Sequence, residues 1–143
     1  MNISEIAFFA PLIRHNLIVV SWILAVATLG ILFLAIRVIR LRWRHRTGIG
    51  HGDHQDLERA IRAHANAVEY VPLALLLFLA AALTSAPTGE LEWLGAIFLV
   101  GRTLHAIGLT ISSGASRQRM LGMLLTFGVM IFLALELLMP GLH

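Results

Sequence analysis

The 143-residue chain contains no cysteine and no lysine, a single tyrosine, and charged residues at only 13% of positions. Without cysteine there are no disulfides, no thiolate metal sites and no cysteine nucleophile, so a thiol can take part only if a ligand brings it. Without lysine, all the basic charge is carried by 11 arginines. The scarcity of charge, with 58% hydrophobic residues and a mean hydropathy of +0.83, excludes a soluble domain, because a chain of this length could not hide that much apolar surface. There is no internal repeat and no low-complexity tract. The high isoelectric point, 11.0, therefore reflects topology and contact with anionic lipid rather than nucleic-acid binding, for which no soluble domain exists.

What the chain does have is four apolar runs, at 17–36, 71–83, 93–111 and 120–139. A spanning helix needs roughly 17–25 such residues, and the second run is short because its helix starts in a polar stretch. The pattern predicts an all-α integral membrane protein, one four-helix bundle running up-down-up-down, with helices at about 11–45, 53–84, 91–113 and 117–139. The N-terminal residues carry no basic segment, and the first run is too long for a signal peptide and lacks a small-residue cleavage site, so it reads as a retained helix. Arg37, Arg40, Arg42, Arg44 and Arg46 crowd the first connection and Arg117 and Arg119 the third, while the second, 84–92, has two glutamates and no base. The positive-inside rule then places the first and third connections in the cytoplasm and both termini outside, opposed only by Arg14.

The first connection ends in glycines and in His51, Asp53 and His54, a loose loop-borne set read as solvated rather than as a metal site, with Asp53 as the N-cap of the second helix. In that helix Arg59, Arg62, Asn66 and Glu69 recur at about 100° per residue, in a stripe no wider than about 80°. A polar face of this kind at the entrance to lipid has the shape of a ligand site. His64 points away from it. The third helix keeps Arg102 and His105 on one face, Arg102 about midway along its apolar run. A charge there costs several kcal/mol unless paired or hydrated, and Glu69 is the expected partner in a structural ion pair. His105 either lines the same cavity or satisfies a backbone carbonyl. Gly95, Gly101, Gly108, Gly122 and Gly128 are expected to let helices three and four approach their neighbours.

The run Arg62-Ala-His-Ala-Asn66-Ala-Val-Glu69-Tyr70-Val-Pro72, followed by Gly101-Arg102-Thr-Leu-His105 in the next helix, resembles the membrane-associated proteins in eicosanoid and glutathione metabolism, the MAPEG family of microsomal glutathione transferases and their bacterial relatives. The resemblance implies a homotrimer of four-helix protomers in the bilayer, with glutathione as cosubstrate bound between protomers at the cytoplasmic side. It carries the family's helix-two residues onto Arg62, Asn66, Glu69 and Tyr70. Its arginine at the end of helix one is similar in position to Arg40, and its arginine opening helix four to Arg119, with Arg117 a rival. Two positions depart from the pattern. The tyrosine one turn beyond the helix-three histidine is Leu109 here, and the serine after the helix-four arginine of the prostaglandin branch is Met120, so generic transferase activity is expected rather than prostaglandin chemistry.

The residue chemistry agrees with that ligand. Arginine forks bind carboxylates bidentately, Asn66 can donate and accept, and Glu69 could take an ammonium if Arg102 does not hold it. A guanidinium beside a thiol favours the thiolate, and Arg119 is the candidate for that catalytic role, with Arg40, Arg59, Arg62, Asn66, Glu69, Tyr70, His105 and Arg117 as binding residues. A lipophilic second substrate would enter from the bilayer past Leu73, Leu76 and Leu77. Three classes compete: a glutathione-dependent transferase or peroxidase, a non-catalytic glutathione- or lipid-binding relative, and a small exporter or channel subunit. The last is disfavoured because the first apolar run has no carboxylate.

Overall fold

The computed structural model describes residues 3–84, 86–112 and 114–139. They form four helices, α1 (Ile3–His45), α2 (Gln55–Leu83), α3 (Thr88–Ile111) and α4 (Arg117–Leu138), each long and apolar enough to cross a membrane. At about 1.5 Å per residue, the 43 residues of α1 extend far past a hydrocarbon layer of about 30 Å. The arginine-rich end of α1 and the polar first turns of α2 accordingly have length to stand outside it.

The element starts differ from expectation where local backbone geometry intervenes. Asp53 does not cap α2: its φ of 60° is left-handed, whereas an N-cap residue is extended. His54 occupies that position, with φ −90°, ψ 104° and no side-chain cap. At α4 Ser116 takes the N-cap position, its hydroxyl accepting from the Arg119 amide, as a serine cap does.

α2 and α3 each pack against all three other helices, while α1 and α4 do not meet among the described residues. The packed face of α2 is mostly alanine, with Ala60, Ala63, Ala67, Ala74, Ala81 and Ala82 buried beside Leu57, Val71 and Phe78. Small side chains let neighbouring backbones come close, which is how helices associate in lipid. The bulk of the core comes from Phe78 and Phe98, edge to face at 5.8 Å, with Leu91 and Leu133 fully buried. α3 and α4 cross most tightly at Gly101 and Gly122, where a methyl on Gly122 would stand 2.6 Å from the Gly101 carbonyl oxygen and from the His105 amide nitrogen. Gly108 faces Arg119 and Ser116, and Gly95 faces Ile23 of α1. Gly128 corrects the expectation, since nothing lies within 4 Å of its added methyl.

Polar ties fix both ends of the bundle. At one, the fully buried Asn16 amide donates to the Ala86 carbonyl at 2.7 Å and accepts from the Thr88 hydroxyl at 2.6 Å. At the other, Arg42 donates to the carbonyls of Gly48 at 2.9 Å and Gly50 at 3.1 Å. His45 stacks on His54 with ring centroids 3.9 Å apart, and its Nε2 lies 2.9 Å from the Asp56 carboxylate. The histidines of this connection thus join the end of α1 to the start of α2.

Candidate functional site

The stripe of α2 is set by the direction of its alanine face. Taking about 100° per residue, Glu69 lies roughly 165° from the middle of that face, Arg62 about 145°, and Asn66 about 105°. Arg62 and Glu69 are accordingly exposed, and neither has a hydrogen bond or ion pair among the described residues. Asn66 and Tyr70, at the edge, are half-buried and reach the neighbouring helices.

That geometry overturns the expected Arg102–Glu69 ion pair, which is not made within the chain. Arg102, 8% exposed, donates from Nη2 to the Asn66 side-chain oxygen at 2.7 Å instead. Its guanidinium carbon also lies 6.0 Å from the centre of the Tyr70 ring, within range of a cation–π attraction. The Tyr70 ring rests in turn on Phe127 of α4 at 5.3 Å. The reason is positional: Glu69 points away from α3, and Asn66 is the stripe member turned far enough inward to be reached. Arg102 Nε and Nη1 are buried without a partner among the described residues, so this guanidinium keeps unused donor capacity.

The second cluster joins α3 to the start of α4. The buried His105 donates from Nδ1 to the Arg119 carbonyl at 3.0 Å, which takes the carbonyl-satisfying alternative left open for it. The Arg119 side chain reaches back to donate to the Gly114 carbonyl at 2.6 Å, closing the α3–α4 connection. Arg59 similarly donates to the Ile111 carbonyl, at 3.4 Å, at the end of α3. Arg40 and Arg117 are exposed at the same end of the bundle.

The structure thus brings Asn66, Tyr70 and Arg102 together, and His105 with Arg119, while Arg62 and Glu69 face outward between no elements of this chain. Two residues that sequence reasoning passed over also matter. Asn16 is the fully buried tie described above. Arg37, counted only for orientation, donates to the Thr110 hydroxyl across the α1–α3 seam. An apolar run followed by a base gives no signal of which neighbour that base will meet.

Four apolar spanning-length helices with a polar cluster among them define an integral membrane helical protein. Within that class the chain belongs to the MAPEG family, whose model matches residues 19–139. It is also similar to Inner membrane protein YecN of Escherichia coli strain K12, 41% identical over 71 residues, which are 50% of this chain and 54% of that protein. YecN of Escherichia coli O6:H1 strain CFT073 matches to the same extent. The chain spans about half the length of the curated relatives it matches.

Proposed function

We propose that this chain is a glutathione-dependent membrane transferase or peroxidase acting on lipophilic electrophiles or hydroperoxides. In this reading it works as a homotrimer of up-down-up-down protomers. Glutathione lies between protomers at the arginine-rich end, that end faces the cytoplasm, and both termini lie on the other side. MAPEG membership supports a glutathione-related role, since the family includes glutathione transferases.

The observation that carries the reading is the outward direction of Arg62 and Glu69 on a helix entering lipid. Charges in such a place need partners, and none is supplied by the described residues of the same protomer. A neighbouring protomer and a zwitterionic peptide ligand together provide them. Arg62 binds a glycyl or γ-glutamyl carboxylate as a fork, the unused amide nitrogen of Asn66 donates beside it, and Glu69 accepts the ammonium. Arg102, held by Asn66, adds positive potential behind the site.

The cosubstrate supplies the thiol that the chain lacks. With an ordinary pKa of about 8.5 it is mostly protonated at neutral pH, and a guanidinium at the sulfur favours the thiolate. Arg119 takes that role by releasing the Gly114 carbonyl. The thiolate then attacks the electrophilic carbon, and the leaving group departs with its electron pair. With a hydroperoxide, sulfur takes the distal oxygen and the alkoxide leaves, to be protonated by water.

A second reading, a non-catalytic glutathione binder, is favoured by one feature: the Arg119 guanidinium is engaged at 2.6 Å and no tyrosine stands at Leu109 to replace it. Turnover separates the two. Purified protein is assayed for glutathione consumption with chlorodinitrobenzene and with cumene hydroperoxide. The catalytic reading expects consumption that falls at least tenfold in Arg119→Ala while glutathione still binds. Binding without consumption on either substrate would establish the silent binder.

A further inference from the structure

A cavity of about 550 Å³ opens along the seam between α1 and α3, floored by Ala67 and Val71 of α2. Its volume falls in the range of ligand sites, roughly 300–1,000 Å³. The walls are mostly apolar, from Val26, Ile31 and Leu34 of α1 and Leu99 and Ile107 of α3, with Arg102 and Thr103 of α3 also lining the groove. Room exists because Gly30 lines it: nothing lies within 4 Å of a methyl added there. Arg37 and Thr110 close one end, hydrogen-bonded to each other.

From Arg37 to Val26 the groove runs 11 residues along α1, about 16 Å at 1.5 Å per residue. One leaflet of a bilayer has a hydrocarbon depth of about 15 Å, half of roughly 30 Å. A chain lying in the groove with its head at Arg37 therefore occupies the depth of one leaflet.

The head end is cationic well beyond Arg37. Arg40 and Arg44 follow on the same side of α1, within about 60° of it, and both are exposed. Arg42, by contrast, is used up by the loop carbonyls. No acidic residue occurs between 37 and 46. The Arg37 guanidinium gives one nitrogen to Thr110 and retains further donors for an anion.

We infer that the α1–α3 groove is a binding site for an anionic phospholipid. One acyl chain lies between Leu34 and Ile107, and the phosphate sits on Arg37 with Arg40 and Arg44 behind it. Basic pockets between spanning helices recognise lipid headgroups in this way. A ladder of three guanidiniums suits a phosphodiester with further head atoms rather than the single carboxylate of a fatty acid. The groove adjoins the proposed glutathione region, since Arg102, which donates to Asn66 of the α2 stripe, also lines it and Arg40 is common to both, so lipid retention is read without glutathione.

Native mass spectrometry of the detergent-purified full chain tests the inference, with dioleoyl phosphatidylglycerol, dioleoyl phosphatidylcholine and oleate presented at equal concentration. Phosphatidylglycerol is expected to be retained several-fold over the other two. The preference falls to near one in the Arg37→Gln, Arg44→Gln double variant. Gly30→Leu fills the groove and lowers retention of both phospholipids; since its added side chain meets open space, it keeps the test valid if the arginine variant misfolds. Equal retention of the three amphiphiles by the unaltered chain would overturn the inference, as would a Gly30→Leu protein that binds lipid normally. Gly30→Leu changing the mass of the oligomer while lipid retention stays intact would also overturn it, by showing that a second copy covers the groove.

Discussion

Replacing Asn66 by alanine removes the acceptor that holds the Arg102 guanidinium. The bond is 2.7 Å long and the arginine 8% exposed, so water does not take over as acceptor. Hydrogen bonds to charged groups contribute about 1.5–3 kcal/mol, and a buried cation left without an acceptor belongs at the upper end. At roughly 2–4 °C per kcal/mol for a protein near this size, Asn66→Ala lowers the melting temperature of the ligand-free, detergent-solubilised protein by about 3–12 °C. Asn66→Asp, which keeps the acceptor and adds a counter-charge, restores most of that loss. Glu69→Gln costs less than Asn66→Ala, because Glu69 is directed away from α3. Nanoscale differential scanning fluorimetry on the three variants reads all of this. An Asn66→Ala protein melting with the unaltered chain, or a Glu69→Gln loss as large as that of Asn66→Ala, would refute the assignment of Asn66 as the anchor.

Other outcomes follow from the same geometry. Gly122→Leu should prevent recovery of folded protein on size-exclusion chromatography, since its Cβ would stand 2.6 Å from two backbone atoms of α3, while Gly128→Ala, in open space, should elute and melt as the unaltered chain does. Asn16→Ala leaves the Ala86 carbonyl and the Thr88 hydroxyl without their partner; a loss of about 1–3 kcal/mol and faster proteolysis between α2 and α3 are expected. Leu109→Tyr should alter thiol reactivity without abolishing glutathione binding, and unchanged reactivity would argue against a thiol near this turn of α3.

The helices were legible because lipid imposes a length on any segment that crosses it, and four apolar runs meet that length whatever their packing. The helix-two motif was legible too, because arginine, asparagine and glutamate at helical spacing stand out against an apolar chain. What the pattern could not give was direction. The stripe over Arg59, Arg62, Asn66 and Glu69 lies off the alanine face, so opposite charges that look complementary in sequence, Arg102 and Glu69, are turned apart, and a neutral amide makes the contact. The alanine face itself was hidden, since alanine is unremarkable in any membrane helix. Asp53 looked like an N-cap by residue type, but the preceding glycines carry the chain through a left-handed turn that places His54 at the cap. Asn16 and Arg37 gave no pattern at all, since each acts through a partner 70 or more positions away in the chain.

The measurement that bears most directly on the proposed function is the melting temperature of the purified protein with and without millimolar glutathione, S-hexylglutathione and oxidised glutathione, repeated for Arg62→Ala. A ligand that binds only the folded state must raise it. Stabilisation by glutathione or its conjugate that disappears in Arg62→Ala is the predicted result. No shift with any of the three ligands, or a shift of equal size in Arg62→Ala, would contradict a glutathione site on the outward face of α2.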